Sequence, residues 1–475
     1  MAMAIPRFRP CAGAISPLAA RAHATYRDEP IRIHYNDVRT PRVKKLKHVV
    51  SAVAAGAAIT LLSGCGTAAG GSGAETTTLG YMGWVPQAEK AVAIWNDAHP
   101  EAQVDYSPVA NGQEAYPKIR SSVQAGNAGC LAQLTLDQVP SFVADGMLLD
   151  VTEFADDAQG DFLDWTWQQV SPGGKTYAIP QDTGPMALYY RADLYEQYGI
   201  EVPTTWDEFA AAAEKVHAAD PGKNLTYLAT DDSSTVAAYA WQRGSSWFSI
   251  DDDSWKVGID DGASAESAEY WQGLLDSGAI STTKRWDPGF YSELASGRYL
   301  SMIGGAWNTA LIKANVGETT GNWRVAPMPT VAGSTTSANS GGSAVAVLKG
   351  CADPEKAVEF ATWLNSSEES LDILAAADGG GLYPAATAAL DLDVVNQTDP
   401  FFGDQNLNEV FRESADNVET DWAWGPTYSS TDSALTDGLA DMATGGTTLP
   451  DVMADLQGST LDAMEERGIT ASASR

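Results

Sequence analysis

From residue 76 onward short apolar strands alternate with amphipathic helices, and that alternation limits the chain to few architectures. TTTLGYMGW reads as a strand, followed by a helix over 87–98 that Pro100 stops and on which Val92 and Trp95 share a face. AQVDYSPV is a second strand, 116–125 a second helix, and CLAQLTL a short buried strand. Such a series predicts an α/β unit with a largely parallel sheet. A second α/β section begins near Gln181. Its best-defined helix opens on Thr205-Trp206-Asp207-Glu208, a capping box in which Thr205 and Glu208 satisfy each other's backbone N–H groups. Phe209, Ala212, Ala213 and Val216 line its apolar face, and Pro221 closes it. Further helices are expected at 264–277, 288–296, 354–365, 367–377, 429–444 and 449–467. No internal repeat is evident, and 475 residues suggest two or three domains.

Charge narrows the partners. The chain has 29 Lys and Arg against 62 Asp and Glu, a net −33, which argues against binding bare phosphate backbones. The run VVSAVAAGAAITLL (49–62) is too short to span a bilayer, which needs roughly 18 apolar residues or more. Behind Arg42, Lys44, Lys45 and Lys47 it has the order of a signal peptide. Leu62-Ser63-Gly64-Cys65 then resembles a bacterial lipobox, in which cleavage precedes a cysteine that carries diacylglycerol. Residues 1–64 are thus expected to be leader and signal, with translation starting near Val43 or Val49, and 65–75 a flexible tether. Cleavage there leaves 19 basic and 59 acidic residues, −40, on an extracytoplasmic protein anchored to the cell membrane through Cys65. Cys130 and Cys351 are then either a disulfide or two buried thiols.

Several motifs fail on inspection. Gly174-Lys175-Thr176 lacks the glycine of a phosphate loop, since Gln169 stands five residues earlier. Asp251-Asp252-Asp253 has Lys256 where a calcium loop needs glycine, and reads as a solvated turn. There is no G-x-S-x-G elbow and no zinc spacing. Beyond the leader only His99 and His217 remain, both in structural places at or within helices. No metal or cofactor is expected. A glycosidase-like carboxylate pair stays open as a rival class among so many acidic residues.

The stretch GPMALYYRADLYEQYGIEVPTTWDEFAAAAEKV (184–216) resembles the signature region of bacterial extracellular solute-binding proteins, family 1, the maltose-binding-protein-like lipoproteins of sugar ABC importers. AGNAGCLAQLTLDQVPSFVADGMLLDVT, SGRYLSMIGGAW, WRVAPMPT and AVAVLKGCADPEKAVEFATWL support it in order along the chain. Arg191 after Tyr190 departs from the usual Asn or Asp. The resemblance implies a two-lobe periplasmic-binding-protein fold (type II), with ligand in the cleft. Lobe one would be 76–182 plus 343–382, and lobe two 183–342 plus 383–475. Hinge crossings would lie near 181–185, 327–342 and 379–384. Cys130 and Cys351 would both fall in lobe one and pair there. The protein would be a monomer that makes and breaks no bond and serves a membrane permease powered by a separate ATPase chain.

A carbohydrate has a flat C–H face and a rim of hydroxyls, matched by aromatic rings and by Asn, Gln, Asp or Glu. On the implied cleft loops the candidates are Tyr81, Trp84 and Gln87 after the first strand, Gln133 and Asp137 around the third, and Gln181 and Asp182 on the first crossing. Lobe two would add Trp241, Trp247, Trp286, Trp307, Trp422 and Trp424. Trp307, behind Gly304-Gly305, is expected to project from a rigid strand end onto the sugar. Trp95, Trp206, Trp271 and Trp363 lie within helices and are expected in the core. A non-sugar solute such as a polyamine or peptide is the remaining rival.

Overall fold

The computed structural model describes residues 77–251, 254–376 and 380–474. The expected signal, Cys65 and the tether lie outside them, as do Asp252, Asp253 and Gly379. The first sheet has five strands in the order Ala102–Pro108, Thr77–Gly83, Leu131–Thr135, Ser343–Val347, Ala178–Asp182. The first three run parallel, and Ser343–Val347 is antiparallel to both its neighbours. The three strands of the expected parallel unit thus do run parallel, whereas the sheet of Ser301–Gly305, Met186–Arg191 and Trp323–Pro327 is antiparallel throughout. Periodicity along a strand reports which faces are buried and carries nothing about a partner's direction.

Local signals govern most helix limits. The capping box at Thr205 forms: its Oγ1 accepts from the Glu208 N–H at 3.3 Å, and the Glu208 carboxylate accepts from the Thr204 and Thr205 N–H groups. Phe209, Ala212, Ala213 and Val216 are buried behind it. The helix Gly112–Gln124 begins earlier than the expected 116, because Asn111 accepts from the Glu114 N–H at 3.0 Å and caps it there. Trp95 packs against Phe360 and Trp363 in the first lobe, and Trp206 against Phe209, Tyr239 and Trp271 in the second. Cys130 and Cys351 form a disulfide with Cα atoms 4.3 Å apart, closing a sequence separation of 221.

Three segments cross between the sheets and are laced together. Thr183 N–H donates to the Tyr383 carbonyl at 2.9 Å, Gly184 N–H to Asn339 Oδ1 at 2.7 Å, and Ser340 N–H to the Gly184 carbonyl at 2.8 Å. A Cβ on Gly184 would lie 1.9 Å from that Ser340 carbonyl, so only glycine lets these crossings touch. No helix among the described residues is long and apolar enough to cross a membrane.

Candidate functional site

Two tryptophans meet beside the second crossing. Strand Ser301–Gly305 ends in the glycine turn, and Trp307 follows with its indole Nε1 donating to the Ser340 carbonyl at 2.8 Å. Its ring edge is cradled by Gly184, Gly305 and Gly341, where side chains would collide with Nε1. Trp286 lies beside it in a near-parallel plane, 14° apart with ring centroids at 6.0 Å, and is 51% exposed. The Trp286 Nε1 donates to the Asp231 carbonyl at 3.1 Å. Arg285 is buried between them and the protein interior, its guanidinium carbon 4.8 Å from the Trp286 ring centre and 4.6 Å from that of Trp307. Asp232 and Asn308 hold that guanidinium. Asp232 itself caps the helix Ser233–Gln242.

Polar groups from the two lobes meet nearby. On the first lobe, Thr135 donates to Asp137 and shares a 2.8 Å hydrogen bond with Tyr116, whose ring Trp84 meets edge-on at 6.2 Å. On the second, Ser233 donates to Asp432. The start of the helix Tyr428–Ala443 docks on the first lobe, its Ser429 donating to Gln138 Oε1 at 2.5 Å and, through its N–H, to Ser141 Oγ at 3.1 Å. That docking sets Asp432 opposite Asp137. Burial, and then the facing Asp432 charge, push the Asp137 carboxyl up to about 7, and burial raises Asp432 as well. The Tyr428 hydroxyl is buried beside them, and burial, with the nearby Asp137 and Asp432 charges, raises it well above the ordinary value.

Not every expected residue lies here. Trp286 and Trp307 lie side by side, Trp84 meets Tyr116, and Asp137 faces Asp432, while Gln87 is half-buried with left-handed backbone (φ 67°) at the start of the helix Ala88–Ala98. Tyr81 is corrected to the first core, packed on Tyr106 and Phe360. Gln133, Gln181 and Asp182 are buried structural ties. Gln133 joins the Trp84 N–H to Ser343, Gln181 donates to Asn365 at 2.9 Å, and Asp182 accepts from Ser343 N–H and Oγ. Burial pushes the Asp182 carboxyl up to about 6. Trp241, Trp247, Trp422 and Trp424 are buried and pack on one another, and the first part of the chain meets them there: Trp165 lies edge-on to Trp241 at 6.5 Å, and Gln169 Nε2 donates to the Trp422 carbonyl at 2.6 Å. The sequence reading missed Arg285, Asp232, Asn308, Tyr116, Ser429 and Asp432. Asp231-Asp232-Ser233 ahead of an apolar helix was the one signal available, as a cap. Among the described residues no group of three or more His, Cys, Asp or Glu is placed to hold a metal.

Residues 90–402 match the family described as bacterial extracellular solute-binding protein. The lactose-binding protein of Rhizobium radiobacter is 25% identical over 246 residues, 50% of this chain and 57% of that protein. The maltodextrin-binding protein of Bacillus subtilis is 26% identical over 276 residues, 56% of this chain and 62% of its own. The chain thus spans less than two thirds of the length of these curated relatives. Solved structures align more fully. The galacto-N-biose-/lacto-N-biose I-binding protein of the ABC transporter from Bifidobacterium longum, in complex with lacto-N-biose, is 31% identical with a TM-score of 0.76, over 84% of this chain and 99% of that one. An ABC transporter associated binding protein from B. animalis subsp. lactis, in complex with beta-1,6-galactobiose, is 25% identical with a TM-score of 0.75, over 84% and 100%. These relatives are solute-binding proteins, not enzymes. With its five-stranded sheet joined by laced crossings to the sheet around Met186–Arg191, and a family match over most of its length, the chain belongs to the bacterial extracellular solute-binding proteins and has their two-lobe periplasmic-binding-protein fold.

Proposed function

We propose that the protein captures a sugar or oligosaccharide between its lobes and delivers it to an ABC permease whose ATPase is a separate chain. The observation that carries this is the Trp286–Trp307 pair, fixed beside the crossings with the polar groups of both lobes close by. The pair offers apolar ring faces to the C–H side of a sugar, and Asp137, Asp432 and Tyr428 offer partners to its hydroxyls. Ligand that touches both lobes only when they are shut stabilises the shut state by population shift. Solved relatives that hold lacto-N-biose and beta-1,6-galactobiose support a saccharide. The lobe limits proposed are 76–182 plus 343–382 and 183–342 plus 383–475, and the ligand contacts proposed are Trp84, Gln87, Asp137, Trp286 and Trp307.

The test is a thermal-shift screen of lacto-N-biose, beta-1,6-galactobiose, lactose, maltodextrins and polyamines, followed by calorimetry. Stoichiometric saccharide binding without new reducing ends is expected; the absence of a shift with every saccharide would sink the reading. The facing Asp137 and Asp432 favour a cationic solute as the second reading, and a shift with polyamines alone would select it. Anchoring through diacylglycerol on Cys65 is part of the same proposal. Cys65→Ser should move the protein from the membrane fraction to the soluble one.

A further inference from the structure

We propose that Arg285 is the positioning residue of the aromatic platform: its buried guanidinium holds Trp286 and Trp307 in the near-parallel arrangement that receives the ligand. This rests on the saccharide-cleft reading and adds to it the device that keeps the platform rigid. Each indole is pinned at one edge only, Trp286 to the Asp231 carbonyl and Trp307 to the Ser340 carbonyl. One hydrogen bond at an edge leaves a ring free to swing about it. A planar cation against the rings removes that freedom, and Arg285 touches both. Arg285 is 1% exposed while Trp286 is 51% exposed, so the guanidinium holds the indole from the interior while half of the ring surface stays open to solvent.

A merely structural role accounts poorly for this placement. A buried guanidinium is costly unless it is paired and hydrogen-bonded. Asp232 does not need it to cap its helix, because that carboxylate already accepts from Thr235 Oγ1 at 2.9 Å and Ser234 Oγ at 2.8 Å. The backbone of 285 and 286 is held separately, by the Asp231 carboxylate at 2.7 Å and 3.3 Å. What the guanidinium adds is contact with two rings, through a fork oriented by Asp232 on one side and Asn308 on the other. Asn308 is in turn fixed by donating to the Gly305 carbonyl at 2.8 Å. Ser234 and Ser340 share a 3.2 Å hydrogen bond, which ties the same assembly to the second crossing. Side chains fixed before binding lose less freedom on binding, so the platform is pre-organised.

The test reads the rings directly. The full chain is labelled with 5-fluorotryptophan, and the fluorine resonances of Trp286 and Trp307 are assigned with Trp286→Phe and Trp307→Phe. In Arg285→Lys, which keeps a cation beside Asp232 but loses the planar fork, both resonances should shift and broaden together while those of Trp241 and Trp247 hold. Affinity for lacto-N-biose by calorimetry should fall roughly tenfold. Asn308→Ala, removing one anchor, should give a smaller change in the same direction; it serves as the deciding variant if Arg285→Lys does not fold. Unmoved Trp286 and Trp307 resonances in a folded variant overturn the proposal. The spectra need no ligand, so a wild-type protein that binds no saccharide defeats the cleft reading while the resonances still decide the role of Arg285.

Discussion

The second lobe carries two groups of tryptophans that look alike in sequence and differ in surroundings. Trp241, Trp247, Trp422 and Trp424 pack on one another: Trp241 lies 4.9 Å from Trp422 in planes 11° apart, and Trp247 is 0% exposed. Their side chains face inward, with the Trp241 Nε1 donating to the Glu419 carbonyl and the Trp247 Nε1 to Ser264 Oγ. Trp286 and Trp307 also have their Nε1 groups engaged, yet a buried cation and three glycines back them, and one ring faces solvent. One group is enclosed by other apolar rings, Trp165 among them, while the other is backed by a cation and by glycine and keeps one ring partly open.

The largest expected effect would break the comparison outright. Trp247→Ala should cost about 3–5 kcal/mol of stability, seen as a lowered melting temperature, with saccharide affinity of the folded protein unchanged. A large loss of affinity instead would move Trp247 into the cleft. Trp307→Ala should do the reverse, weakening saccharide binding by on the order of 100-fold, because a stacked ring contributes about 0.5–1.5 kcal/mol beyond roughly 2 for the buried area. Calorimetry on the folded variant checks it, and unchanged affinity with a collapsed melting temperature would return Trp307 to the core group.

The two groups should also part in their response to pH. The Trp241 and Trp247 hydrogen bonds end on a carbonyl and a hydroxyl, whereas the cleft holds Asp137 facing Asp432, with Tyr116 and Tyr428 against them and Asp232 paired to Arg285. Burial pushes the Asp137 carboxyl up to about 7 in this arrangement, and exposure on opening of the lobes would return it to the ordinary carboxylate value. Its contribution to closure is therefore complete below about 4, and it is lost as pH rises through about 7. Affinity for a neutral sugar should weaken about tenfold between about pH 6 and pH 8, and Asp137→Asn should flatten that profile. The smallest effect belongs to the rim. Trp286→Ala should weaken disaccharide binding about threefold to tenfold, the scale of one stacked contact, and change the melting temperature little. A comparable fall in melting temperature to that of Trp247→Ala would erase the distinction.

Much of the fold was legible because its signals are local. The Thr205 capping box, the helix 449–467 and the chain-ordered family motifs depend on neighbours within a few residues. The pairing of Cys130 with Cys351 followed once the resemblance placed both in one lobe, and the structure bonds them. What escaped was set by distant partners. Arg285 reads as one more solvated charge until Asp232, more than fifty residues earlier, is placed beside it. Trp241 was placed on a loop ahead of Gly244, but it lies within the helix Ser233–Gln242, and Gly244 serves the left-handed turn past its end (φ 87°). Tyr81 followed the first strand as a cleft residue should, yet it alternates onto the face that Phe360 covers.

The order of the first sheet bears on how the protein is made. Strands Leu131–Thr135 and Ala178–Asp182 do not touch; Ser343–Val347 fits between them as a keystone. A chain threaded outward amino end first leaves that slot empty until some 160 further residues have emerged, with two sheet edges unpaired in the meantime. During export the second lobe's own three-stranded sheet can close before the first lobe's is whole. Arrival of residue 351 next to Cys130 then locks the keystone in place, so the disulfide acts as a completion seal on a domain whose two halves are made at different times.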